Sequence, residues 1–136
     1  MPGLVVRYDY LWRDEQQRGR EEGAKHRPCA IVVAYRVDEN GRQSVVLCPI
    51  THSPPRSTND AIEIPARVKQ HLGLDDAPSW IVTGEVNVVD WNDPGITPIS
   101  KTQWAYGFLP AKMAKLLAEK LMAHSRRRRL GVVDRQ

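Results

Sequence analysis

No apolar run in this chain approaches the roughly 18–20 residues that a membrane-spanning helix needs. The opening stretch, MPGLVVRYDYLWRDE, lacks a basic segment followed by a long apolar one, which argues against a secretion signal. Cysteine is scarce: Cys29 and Cys48 both sit inside apolar runs and read as buried free thiols in a reducing compartment. The histidines (His26, His52, His71, His124) show no close spacing with one another or with the cysteines, so no metal-ligand pattern emerges. Internal repeats are missing too. The expectation is a cytoplasmic protein with no membrane contact, metal or cofactor.

What is present fits one domain with a real core. The chain has 136 residues, 41% hydrophobic and 26% charged, which excludes a disordered protein and leaves little room for a second domain. Its net charge of +4 misleads if taken whole. Residues 126–136 hold five arginines and one aspartate, which is the entire excess, so residues 1–125 are neutral. Attraction to polyanions must then come from a local patch or from the Arg126–Arg129 run. We expect a domain over 1–125 and a basic, flexible tail over 126–136.

Val5 to Trp12 reads as a first strand, and the polar, glycine-bearing 13–26 segment as a long mobile loop. PCAIVVAYRV (28–37) is apolar at nearly every position, as a strand buried on both faces should be. The Asn40-Gly41 signal turns it back into QSVVLCPI (43–50). AIEIP is a short strand, followed by a polar, partly helical link through Leu72-Gly73-Leu74. SWIVTGEVNVVDW (79–91) reads as one bent strand with Gly84 as a bulge. A helix over about 110–124 follows Pro110, with Leu109, Met113, Leu116, Leu117 and Leu121 on one face. Short strands, long loops and a terminal helix point to a mainly β fold, a small bent sheet or barrel.

One polar cluster stands out. The apolar run Val45–Ile50 ends in Thr51-His52-Ser53 before two prolines. Folding the hairpin about residues 38–42 pairs positions that sum to roughly 80, so Thr51 falls opposite about Cys29, two residues from Arg27. Diagonal neighbours of that kind lie about 7–8 Å apart, within an arginine's reach. A permanent cation beside hydroxyl donors suits a phosphate or a phosphorane-like transition state. Thr and Ser before Pro-Pro also serve simply to organise a turn.

At these residues the sequence resembles the PemK/MazF family of toxins from bacterial toxin–antitoxin pairs. The likeness rests on LWRDEQQRGREEGAKHRPCAIVV, VVLCPITHS, SWIVTGEVNVVDW and GFLPAKMAKLLAEKL, in the family's order. It implies an SH3-like β-barrel with a C-terminal helix, a homodimer, and metal-independent cleavage of single-stranded RNA. Arg27 matches the family's catalytic arginine, a charge stabiliser and proton donor in the family's scheme, and Thr51 its active-site threonine. Ser53 stands one place beyond the family's Thr-Ser pair, because His52 intervenes. Glu85 aligns with an acidic position that serves acid/base roles, while Thr83 stands where one branch has a basic residue. The chemistry implied is attack of the RNA 2′-hydroxyl on the adjacent phosphate, leaving a 2′,3′-cyclic end. Imidazole suits proton transfer at neutral pH, which makes His52 a candidate beside Glu85; a solvated loop residue and a salt-bridge partner are the plain alternatives.

Arg18, Arg20 and Lys25 of the 13–26 loop, with Arg13, are offered to the RNA backbone, together with Ser53. Trp12, Trp80, Trp91 and Trp104 are candidates for stacking on bases. The resemblance further implies an antitoxin whose acidic, flexible segment threads the same groove. Two rivals share the fold: gyrase-inhibiting toxins, which act through a C-terminal Trp-Gly-Ile where this chain ends GVVDRQ, and a binding module without catalysis.

Overall fold

The computed structural model describes residues 2–19, 26–37, 39–127 and 130–136, and for 33–37 the backbone alone. Strand β1 (Leu4–Tyr8) leads to a short helix, α1 (Arg13–Gln17), and then to the long hairpin of β2 (Arg27–Val37) and β3 (Gln43–Thr51). A 3-10 turn at Thr58–Asp60 precedes β4 (Ala61–Glu63), α2 (Ala66–Leu72), β5 (Trp80–Val82) and β6 (Glu85–Asp90). The short strands β7 (Ile96–Thr97) and β8 (Gly107–Phe108) come before the main helix α3 (Ala111–Arg126), and β9 (Gly131–Asp134) follows it. The class is mainly antiparallel β with a C-terminal helix, as expected. The ladder runs β4-β5-β3-β2-β1-β7, with β6 also on β3 and β8 on β1. β3 is its hub.

The hairpin is apolar at nearly every position because both of its faces are covered. Val5, Ala30, Val46, Cys48 and Ile50 pack with Leu117 and Leu121 of α3. Val6, Tyr8, Cys29, Ile31, Val45 and Leu47 face the other way, against Tyr10 and Val89. Cys29 and Cys48 are buried free thiols on opposite faces, and burial pushes both thiols up. On α3, Leu117 is 1% exposed and Leu121 6%, but Leu116 is 41% exposed. The core-facing line is therefore Met113, which is half-buried, then Leu117 and Leu121, at successive i+4 steps, and Leu116 falls outside the expected stripe.

The hairpin register carries the main geometric result. Near the turn Val37 pairs with Gln43, a sum of 80, whereas near the rim Cys29 pairs with Pro49, a sum of 78. Two slips separate these ends, one between Ala34 and Val37 and one between Ile31 and Val33, each placing an extra residue in β2. One slip would turn the strand's side chains to the wrong face; two restore the alternation. Continuing the rim register sets Arg27 across from Thr51, where an unbroken ladder would have set Cys29.

Two expectations need correction. The 13–26 segment is not all loop: Arg13–Gln17 is helical, because Glu15 accepts the Trp12 N–H at 3.1 Å and closes the first turn. The 79–91 stretch is two strands, since the pairing with β3 shifts between Ile50↔Ile81 and Leu47↔Asn87. Thr83 interrupts it by donating its N–H to Asp60 O at 2.7 Å. Within residues 126–136, too, there is regular structure. α3 extends to Arg126, and residues 131–134 form a strand parallel to β6, pairing Glu85 with Gly131 through Val88 with Asp134. Val133 is fully buried and Arg135 sits 5.2 Å over the Tyr8 ring. Arg128 and Arg129 lie outside the described residues.

Candidate functional site

Arg27 opens β2 and Thr51 closes β3, and both line one cleft of about 450 Å³ with Trp12, His26, His52, Ser53, Asp75 and Ser79. A second cleft of about 1000 Å³ is lined by Trp12, Thr51 and Ser53 again, and by Arg56, Asn59, Glu85, His124 and Arg127. Sharing Trp12, Thr51 and Ser53, the two clefts adjoin along the rim of the sheet. Both fall in the size range of small-ligand clefts, about 300–1,000 Å³.

Trp12 is placed from below. Asn87, fully buried on β6, accepts the Leu11 N–H at 2.9 Å and donates to Leu11 O at 2.8 Å. This two-way bond clamps the segment after β1 onto the sheet. Tyr10 meets the Trp12 ring edge-on at 5.1 Å, and the Arg27 guanidinium lies 4.9 Å over the Trp12 ring. A planar cation on an aromatic face is held without spending its hydrogen bonds. The Arg27 Nε is shut off from solvent and has no hydrogen-bond partner among the described residues.

Beside it, the Thr51 hydroxyl accepts the Ser53 N–H at 3.2 Å, which turns the chain at the end of β3. His52 Nε2 lies 2.8 Å from Asp75 Oδ2, and Lys69 Nζ lies 2.8 Å from Asp75 Oδ1. The hydrogen bond from Lys69 holds the Asp75 carboxyl below its ordinary value.

The far cleft has its own carboxylate. Glu85 Oε2 accepts the Arg13 N–H at 2.9 Å and the Tyr10 hydroxyl at 3.1 Å. Burial raises its pKa all the same, against those two bonds. Gly131 of β9 runs past this point, and a Cβ there would stand 3.3 Å from Glu85 Cβ and 3.1 Å from Arg13 Cδ, so only glycine passes freely. The opposite wall is the loop after Thr51, fixed by α3. His124 Nε2 lies 2.8 Å from Asn59 O, and Lys120 donates to Thr58 O at 3.3 Å.

Arg27, Thr51, His52 and Ser53 thus meet at one cleft, and Glu85 lies in the adjoining one. Thr83 is buried, its hydroxyl donating to Asn59 O at 3.3 Å, and lines neither. Arg18 pairs with Asp14 at 3.6 Å and also lines neither. Arg20 and Lys25 lie outside the described residues. Of the four tryptophans only Trp12 borders the clefts; Trp91 and Trp104 pack on each other at 5.3 Å. Sequence reasoning missed Asp75, Lys69, Asn87 and His124. All four approach from elements distant in sequence, and none carries a spacing signal.

A profile of PemK-like, MazF-like toxins of type II toxin–antitoxin systems matches residues 7–124. The chain belongs to this toxin family. It is accordingly a type II toxin, a class defined by an antitoxin partner. No curated protein and no solved structure matches it at a significant level. The match covers the first cleft, all of the second but Arg127, and nearly all of α3, and β9 lies wholly beyond it. This PemK-like toxin therefore carries, against its Glu85 wall, a strand outside the matched span. Among the described residues no helix is long and apolar enough to cross a membrane.

Proposed function

We propose that the protein is a metal-independent endoribonuclease that cuts single-stranded RNA. The observation that carries this reading is the Arg27 guanidinium, stacked on Trp12 and bordering the same cleft as Thr51, with one buried donor unpaired among the described residues. Arg27 keeps its charge at any accessible pH, so it holds the phosphate and the doubly charged phosphorane, with Thr51 donating a further hydrogen bond. Trp12 supplies a face for a base or sugar at the junction of the clefts.

In the reaction the RNA 2′-oxygen forms a bond to phosphorus and the bond from phosphorus to the 5′-oxygen breaks. The 2′-proton passes to a base in the clefts, His52 or Glu85, and the leaving 5′-oxygen takes a proton from water. The products are a 2′,3′-cyclic phosphate and a 5′-hydroxyl. The antitoxin, with an acidic flexible segment, would occupy the same cations, and the active species would be a homodimer.

Single-stranded RNA incubated with the protein in EDTA, with the new ends mapped, tests this. Site-specific cuts ending in cyclic phosphate are expected. Arg27→Ala and Thr51→Ala should each lower the rate by about 10²–10³. Cleavage unchanged in both variants removes the site, and gyrase inhibition that survives Arg27→Ala places the protein among the gyrase-directed toxins.

A further inference from the structure

Lys69 is 4% exposed, in the last turn of α2, and a buried ammonium is costly unless fully bonded. Its Nζ donates to Asp75 Oδ1 at 2.8 Å and to the Ala77 carbonyl. The chain between these groups is built to return. Gly73 caps α2 at φ 70°, in the left-handed region, and Leu74 donates its N–H to Lys69 O at 2.9 Å. The Ala77 N–H then donates to Asp75 Oδ1 at 3.1 Å, and the buried Ser79 hydroxyl donates to Ala77 O at 3.1 Å.

The two Asp75 oxygens consequently have separate tasks. Oδ1 takes Lys69 and the Ala77 N–H, while Oδ2 faces only the His52 Nε2 at 2.8 Å among the described contacts. An exposed Asp–His pair alone would be worth little, since both side chains are more than half exposed. Here the carboxylate is fixed from beneath by a buried cation, so its direction toward His52 is set by the fold. A carboxylate accepts only, so it selects the Nε2–H tautomer and leaves Nδ1 as the nitrogen with a free lone pair.

The geometry points to Asp75, anchored by Lys69, as the positioning residue that holds His52 in the Nε2–H tautomer so that Nδ1 takes the proton of the RNA 2′-hydroxyl. This rests on the nuclease reading above and assigns its base. The 2′-oxygen bonds to phosphorus as its proton moves to Nδ1, the 5′-oxygen leaves with a proton from water, and His52 returns its proton to solvent. Glu85, whose oxygen already serves Arg13 and Tyr10 in the other cleft, keeps a structural part.

The test combines turnover with imidazole ¹⁵N–¹H correlation spectra of the intact protein. The wild type should give the pattern of a fixed Nε2–H tautomer for His52. Asp75→Asn should blur it into a tautomer mixture and lower kcat by about 10–10²-fold, part of the 10²–10⁴ a general base supplies, with KM within about twofold. Asp75→Glu should recover part of kcat, and Lys69→Met should act in the same direction as Asp75→Asn. His52→Ala should lose at least as much as Asp75→Asn. If Asp75→Asn cuts RNA as fast as an active wild type, or leaves the His52 spectrum unchanged, Asp75 has no positioning role while the nuclease reading stands. A wild type that leaves RNA intact overturns both.

Discussion

Glu85 holds two donors on one oxygen, yet burial still lifts its pKa above the ordinary 4.5. The unfolded chain therefore ionises this carboxyl at lower pH than the folded protein does. Its contribution to stability is complete below pH 4.5 and is lost as pH rises through the raised folded value. Glu85→Gln keeps an acceptor for the Arg13 N–H and the Tyr10 hydroxyl but cannot ionise. Urea midpoints at pH 4.5 and pH 8 should therefore move in favour of the variant on going to the higher pH. Asp75, held low by Lys69, works with the opposite sign, gaining its share above the ordinary carboxylate range. It acts equally in both proteins and drops out of the comparison. A difference that stays flat between the two pH values would mean Glu85 is solvated.

Among the elements, α3 separates packing from pattern. Leu117→Ala should cost about 2–5 kcal/mol by urea denaturation and Leu116→Ala less than about 0.5, although the two are adjacent leucines. Only Leu117 lies on the buried line. The elements also explain what could be read beforehand. β2, β3 and α3 are long and strongly patterned, so their existence and the meeting of Arg27 with Thr51 follow from the residues. The partner of Thr51 was misplaced by two positions, because the two register slips in β2 fall within a stretch that carries no glycine or turn signal to mark them. β9 was hidden for a different reason: GVVD is short, follows an arginine run, and is held by pairing with β6 rather than by its own propensity. Asp75 and Lys69 lie in a polar link whose purpose appears only when α2 ends at Gly73 and the chain folds back.

For the molecule as a whole, charge is the governing quantity. Arg27, Arg56 and Arg127 border the clefts, and residues 1–125 are neutral in sum. Single-stranded RNA contributes a salt slope of about −0.7 per neutralised phosphate. Binding through these three cations should then show a slope near −2 in a plot of log affinity against log salt. A slope of about −4 would add the rest of the Arg126–Arg129 run, which brings the cations to six.

The hairpin has one further consequence. Its turn and its rim keep different registers, and the surplus residues between Ile31 and Val37 absorb the mismatch. A single codon lost there by replication slippage would leave one slip and invert the faces at the turn end, whereas two lost together would keep them, with the guanidinium opposite the hydroxyl in both cases. The turn end thus changes length without inversion only in steps of two residues, while the pairing at the Arg27–Thr51 rim is left as it is.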